Sequence, residues 1–320
     1  VEITKDLPGA IVVMGNANGT IRVTSGTVTH PNNFPVIIDN ALLDIGANGT
    51  YIATTDVTTL TGSFTNAGTF NANGGSWIFS GPVNANYNAS VPTVFNELTI
   101  AKTGAPAYVT MQTGAATVAG PFAVTSGSVR GPGAINAQGS VVYSSTAAST
   151  AILNFTGSTP QTADFTGATS NWNGSVSFNQ STASTITLLS PWDLDAGATQ
   201  ATTFTSGVVI SDASNLLTFG NGNAVTGGSS SSFVSGPVRK IGTNAFTFPI
   251  GKGSVYAPAR ISGAAYATAL GAASTYVAEY FPANPQPIYG TSFAAPLLNV
   301  STVEYWNVTK SSGADAYVWV

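Results

Sequence analysis

Short apolar runs with a two-residue period, cut by turn residues roughly every ten to fifteen positions, set the limits on what this chain can become. Ile21 and Val23, Leu98 and Ile100, Val109 and Met111, Phe122 and Val124, Val176 and Phe178, Ile186 and Leu188, and Leu217 and Phe219 each place two apolar side chains on one side of an extended segment. The runs are rich in Val, Thr, Ile and Phe and end at Gly, Asn, Ser or Pro. No stretch of about a dozen residues keeps a 3.6-residue period, so the sequence predicts an all-β chain with almost no helix.

The runs also repeat. Thr-Ser-Gly, followed one residue later by Val, occurs at Thr24-Ser25-Gly26, Thr125-Ser126-Gly127 and Thr205-Ser206-Gly207. A second marker comprises Phe79-Ser80-Gly81-Pro82, Phe155-Thr156-Gly157-Ser158 and Val234-Ser235-Gly236-Pro237, and a third pairs Phe95–Ile100 with Asn173–Phe178. Most of these recur after about 76 to 80 residues in the same order, which reads as two complete long repeats from Trp77 to Ser232 behind a divergent copy. Each contains several strand-and-turn units, none able to bury its apolar side alone, so the units must stack on a shared core. A parallel β-helix, or β-solenoid, does this with coils about 4.8 Å apart; at roughly 20 to 25 residues per coil, the first 230 residues make about ten coils and a rod about 50 Å long.

Composition agrees with stacking. Only 7% of the 320 residues are Asp, Glu, Lys or Arg, against roughly 25% in ordinary soluble domains. A column of like charges at the inter-strand spacing repels, whereas columns of Thr, Ser and Asn can hydrogen-bond, and Gly and Asn suit corners with positive φ. From about Gly251 onward the character changes: Tyr, Trp and Pro become concentrated, and Ser274 to Phe281, Thr302 to Val308 and Ala316 to Val320 alternate as antiparallel strands do. The sequence therefore divides into a solenoid over residues 1–235 and an antiparallel β-sandwich-like domain over 236–320. Val1 is not Met, so the chain reads as a processed or excised segment, and the last strand pattern has no closing turn, which is expected if the final domain is incomplete or if this strand pairs with another chain.

Composition also narrows function. Without Cys there are no disulfides, thiolate metal sites or Cys nucleophiles, and the mild acidity, with a net charge of −4, gives no footprint for nucleic acid. No apolar run approaches the roughly 20 residues of a membrane helix. Nothing in the chain calls for a cofactor.

The junction between the two regions carries a resemblance. Phe233-Val234-Ser235-Gly236-Pro237-Val238-Arg239-Lys240-Ile241-Gly242, then Phe246-Thr247-Phe248-Pro249-Ile250-Gly251-Lys252-Gly253, then Tyr256-Ala257-Pro258, resembles a recurring signature of very large secreted and surface proteins of Bacteroidota. There it follows Thr-Ser-Gly solenoid repeats and precedes a β-sandwich, and Val303–Val308 fits the same pattern. The resemblance covers the chain from about Trp77 onward. It implies export by type IX secretion, a place outside the cell or on its surface, and a role as an adhesin or surface fibre, although that route's C-terminal sorting domain is not in this sequence.

Candidate chemical groups are few. His30, the sole His, precedes Pro31 and is expected in a surface turn; a triad or a His-ligated zinc site would need partners that the sequence does not offer nearby. No Gly-x-Ser-x-Gly elbow is present. Asp193 and Asp195 point to one side of a strand and could bind Ca²⁺ through oxygen, though a solvated strand face is the simpler reading. Asp39 and Asp44 flank Leu42 and Leu43 in another such pair. Arg239, Lys240, Lys252 and Arg260 could hold an acidic glycan or, more simply, brace the junction against Glu279 or Glu304. Phe281 and Tyr289 flank the Pro-rich loop Pro282 to Pro287 and could stack on a sugar, with core packing as the default.

These features point to a non-enzymatic structural or adhesive rod that associates with itself, another surface protein or a glycan. A polysaccharide-binding or polysaccharide-degrading β-helix is the alternative, and would need Asp193, Asp195 or the basic group in one shared cleft. An outer-membrane barrel needs strands of about ten residues with aromatic girdles, which this pattern lacks.

Overall fold

The computed structural model describes residues 13–15, 19–30, 32–104, 106–168, 172–181, 184–194, 200–292 and 299–320. The chain is all-β, with 55% of its residues in strands and ~1% in helix, and winds into a parallel β-solenoid of about ten turns. The first face is a thirteen-stranded sheet that begins at Val13–Gly15 and Val36–Asp39 and ends at Ile250–Lys252 and Val255–Tyr256. Its pairing is parallel except for the closing Ile250–Lys252 to Val255–Tyr256 step. Registered neighbours along it define the coil: Ile38 beside Leu60, Leu60 beside Phe79, Phe79 beside Ile100 and Ile100 beside Val124. Along this face coil length ranges from 16 residues, Val234 to Ile250, to 25, Val209 to Val234.

The second face is a parallel sheet built from Thr20–Thr29, Leu42–Ile52, Phe64–Asn66, Ala85–Ala89, Tyr108–Thr113 and Ser128–Arg130. After Arg130 the pairing seen among the described residues is the single Ser149–Trp172 bridge, and the ladder resumes at Trp192–Leu194, Leu217–Phe219 and Val238–Gly242. The third face is a seven-stranded parallel sheet running from Thr93–Phe95 to Ala224–Gly227. Parallel pairing on all three faces is not the antiparallel meander of a membrane barrel.

Alternation explains the core. Every apolar pair that defines the strand period, from Ile21 and Val23 to Leu217 and Phe219, faces inward and is buried. One cluster runs from Ile21 to Tyr280, with aromatic rings packed between coils, such as Phe64 on Tyr87 at 5.6 Å and Phe178 near Phe204 at 5.0 Å. Some polar residues inside bond to neighbouring coils: Gln180 donates to the Gln161 amide oxygen at 2.7 Å, and Gln200 donates to the Trp172 and Gly174 carbonyls.

The 76- to 80-residue spacing of the sequence markers does not superpose equivalent coils. Gly127 turns the chain from first face to second, Gly207 from third to first, and Gly26 lies within a second-face strand. Phe79 is on the first face and Phe155 on the third. What recurs is corner and bulge chemistry: Gly26, Gly127 and Gly207 have φ of 75°, 73° and 99°, which any corner of the coil can use.

At the far end the parallel stack passes into antiparallel strands without a break in the core. Val238–Gly242 pairs with Ser274–Phe281, which pairs with Tyr305–Ser312. Phe246–Phe248, Ala259–Ser262 and Tyr317–Trp319 form a separate antiparallel sheet. The first face continues past residue 235 to Lys252, so the two regions share a sheet. One turn of helix, Gln286–Tyr289, interrupts the Pro-rich loop.

Candidate functional site

On the second face two of the candidate charges, Asp193 and Arg239, meet. Asp193 and Arg239 project outward from strands two steps apart, with Thr218 between them in register. Arg239 donates through Nη2 to Asp193 Oδ1 and through Nε to Thr218 Oγ1, both at 2.9 Å. Asp195 lies outside the described residues. Among the described residues no three of His, Asp and Glu stand together in a way that could hold a metal ion.

The other basic residues have separate partners. Lys252 meets Glu279 at 3.4 Å and lies over the Phe281 ring, a bracing contact of the kind the sequence suggested. Arg260 donates to Thr247 Oγ1 and the Tyr266 carbonyl and stacks on the Tyr266 ring. Lys240 points inward, is buried, and donates to Asn221 Oδ1 and the Ile241 carbonyl beside Phe246. Alternation along Val238–Gly242 sends Arg239 and Lys240 to opposite sides, so adjacency in sequence did not make one basic patch. Glu304 accepts the Tyr280 hydroxyl at 2.6 Å, which with burial pushes that phenol up to about 12.

Tyr289 is exposed and meets Tyr305 edge-on, while Phe281 stacks on the other strand's Tyr305 at 4.7 Å. Asp44 pairs with Arg22 across adjacent strands at 2.7 Å, and Asp39 accepts the Thr61 hydroxyl. His30 departs from the expected surface turn: it is 4% exposed, packs on the Tyr51 ring at 5.0 Å, and has an unpartnered Nε2. Its main chain continues the stack by donating to Ile52, which draws the ring inside, and burial lowers its pKa.

Sequence reasoning missed two features. Lys102, 1% exposed, donates to the carbonyls of Ser80 and Thr61, one and two coils below, and burial lowers its pKa to about 8. Nothing in the alternation of a single strand marks it, except that it occupies an inward position after Leu98 and Ile100.

The second is a recess of about 410 Å³ where the second face loses its ladder, walled by residues 165–168 and 190–193. Phe165 stacks on Trp192 at 4.4 Å beneath it, and the Phe165 N–H bonds Ser190 Oγ at 2.6 Å. Hydrogen bonds from the side chain and backbone of Thr166, with help from Ser190, hold the Asp164 carboxyl below the usual carboxylate range. Gly167, with φ of 82°, turns the loop where an added Cβ would meet open space. Its one trace in the sequence is a break in the two-residue apolar alternation over 165–168, which is not a motif. An apolar groove of about 510 Å³ at the antiparallel end, between Tyr289, Trp306 and Val320, is a further cavity.

No helix is long and apolar enough to cross a membrane, among the described residues. Comparison with known proteins returned no matching family model, no matching curated protein and no matching solved structure.

Proposed function

We propose that the chain is a structural or adhesive element of an extracellular or cell-surface protein, a rod that sets reach and presents contact surfaces. The observation that carries this reading is the continuous first face, thirteen strands long, over a core that runs unbroken into the antiparallel end. Ionisable groups are dispersed over the molecule in isolated pairs such as Arg22–Asp44 and Lys310–Asp315, an arrangement suited to bracing and not to proton transfer. The antiparallel strands after residue 236 are read as a sandwich-like end piece that docks to a neighbour. Kinship with the large surface solenoid proteins of Bacteroidota, and export by their route, belong to the same proposal and rest on the junction motif. Negative-stain imaging of the purified chain over a concentration series tests it: rods that join into strings or filaments are expected. Single compact particles at every concentration, with no retention on cell or glycan surfaces, would contradict it.

The alternative, a polysaccharide-degrading β-helix, is supported only by the meeting of Asp193 and Arg239. The rest of the basic group faces elsewhere, and Asp193 is already neutralised by its partner.

A further inference from the structure

We infer that the recess beside Asp193 is a binding site for a neutral sugar. It lies where, among the described residues, no second-face pairing links Trp172 to Trp192–Leu194, between 165–168 and 190–193. Its volume of about 410 Å³ falls within the range of roughly 300 to 1,000 Å³ typical of small-ligand sites.

The wall chemistry selects the ligand. The Asp193 side chain is 41% exposed and uses Oδ1 for Arg239, leaving Oδ2 without a partner among the described residues. The guanidinium holds that carboxylate in place, so Oδ2 is an oriented acceptor for a hydroxyl. Phe165 and Trp192 stack beneath the recess, both buried, and the Thr166 turn is pinned to Asp164. A mixed polar and apolar wall suits a pyranose, whose hydroxyls alternate with C–H faces. Anionic sugars are disfavoured, because the one charged residue of the wall, Asp193, is paired with Arg239, and Arg239 is committed to Asp193 and Thr218, so the wall offers no free cation among the described residues. The open side at Gly167 leaves room for the glycan chain to continue outward.

This inference stands apart from the rod reading, since a sugar site can fail while the rod assembles, and the reverse. Isothermal titration of the full chain with neutral gluco-, galacto- and manno-oligosaccharides, beside oligogalacturonate as the anionic probe, tests it. Saturable binding of a neutral oligosaccharide is expected. Asp193→Asn, and Thr166→Trp, which fills the recess from an exposed position, should each weaken it by roughly tenfold or more, the scale of a lost charge-assisted hydrogen bond. Thermal melts check that both variants fold. No binding by any neutral probe, equal affinity in both folded variants, or tighter binding of oligogalacturonate overturns the assignment.

Discussion

A residue at a coil corner is constrained by the coil below it. A Cβ on Gly174 would lie 1.8 Å from the Ala151 carbonyl oxygen, a backbone atom held by the ladder, so the clash cannot be relieved by a rotamer change. Gly174→Ala should destabilise the chain by about 3 kcal/mol or more, whereas Gly167→Ala, facing open space at positive φ, should cost only about 1 kcal/mol. Chemical denaturation compares the two, and equal losses would contradict the packing argument. Lys102 carries a different constraint. Its folded pKa of about 8 lies below the ordinary 10.5, so between those values the unfolded chain binds more protons and stability rises with pH. The melting temperature of the native chain, relative to Lys102→Met, should therefore climb from pH 8 to pH 10. Parallel profiles would show that the amine is not desolvated.

At the scale of the element, the outer columns of the sheets explain why so few charges are tolerated. On the third face Thr117, Asn136, Asn154, Ser177, Thr203 and Thr226 stand in one register column. Asn154 donates to Asn136 at 2.9 Å, and the Thr203 and Thr226 hydroxyls meet at 3.3 Å. Replacing both Asn136 and Asn154 by Asp would set two carboxylates on adjacent strands, costing about 1 kcal/mol beyond the sum of the single changes. The excess should vanish when both carboxyls are protonated near pH 3, and a double-mutant cycle by denaturation measures it. Additive losses at neutral pH would count against the charge-column explanation.

Strands were legible because inward and outward environments differ on every coil: Leu98 and Ile100 are inside and Thr99 is not. Ser274–Phe281 matched its alternation in full, whereas the strand expected from Thr302 begins at Tyr305, after Ser301 Oγ accepts the Val303 and Glu304 N–H groups in a turn. The long repeat misled because a Gly corner has the same local requirement on any face, so its motif carries no information about which face follows. The site was harder to see. Asp193 and Arg239 are 46 residues apart and meet only through stacking, and the recess is a missing stretch of ladder, which leaves no motif.

For the whole molecule, the claim is that one parallel stack orders the chain from Val36 to Lys252. The absence of Cys makes paired spin labelling clean: Thr59 serves as a fixed origin, with Val142, Thr187 or Ile210 as the second site on the same sheet. These partners lie four, six and seven strands away along the first face. Pulsed electron double resonance should give backbone separations near 19, 29 and 34 Å respectively, about 4.8 Å for each strand. Distances that fail to grow in that order, or that collapse to a common short value, would contradict the stack.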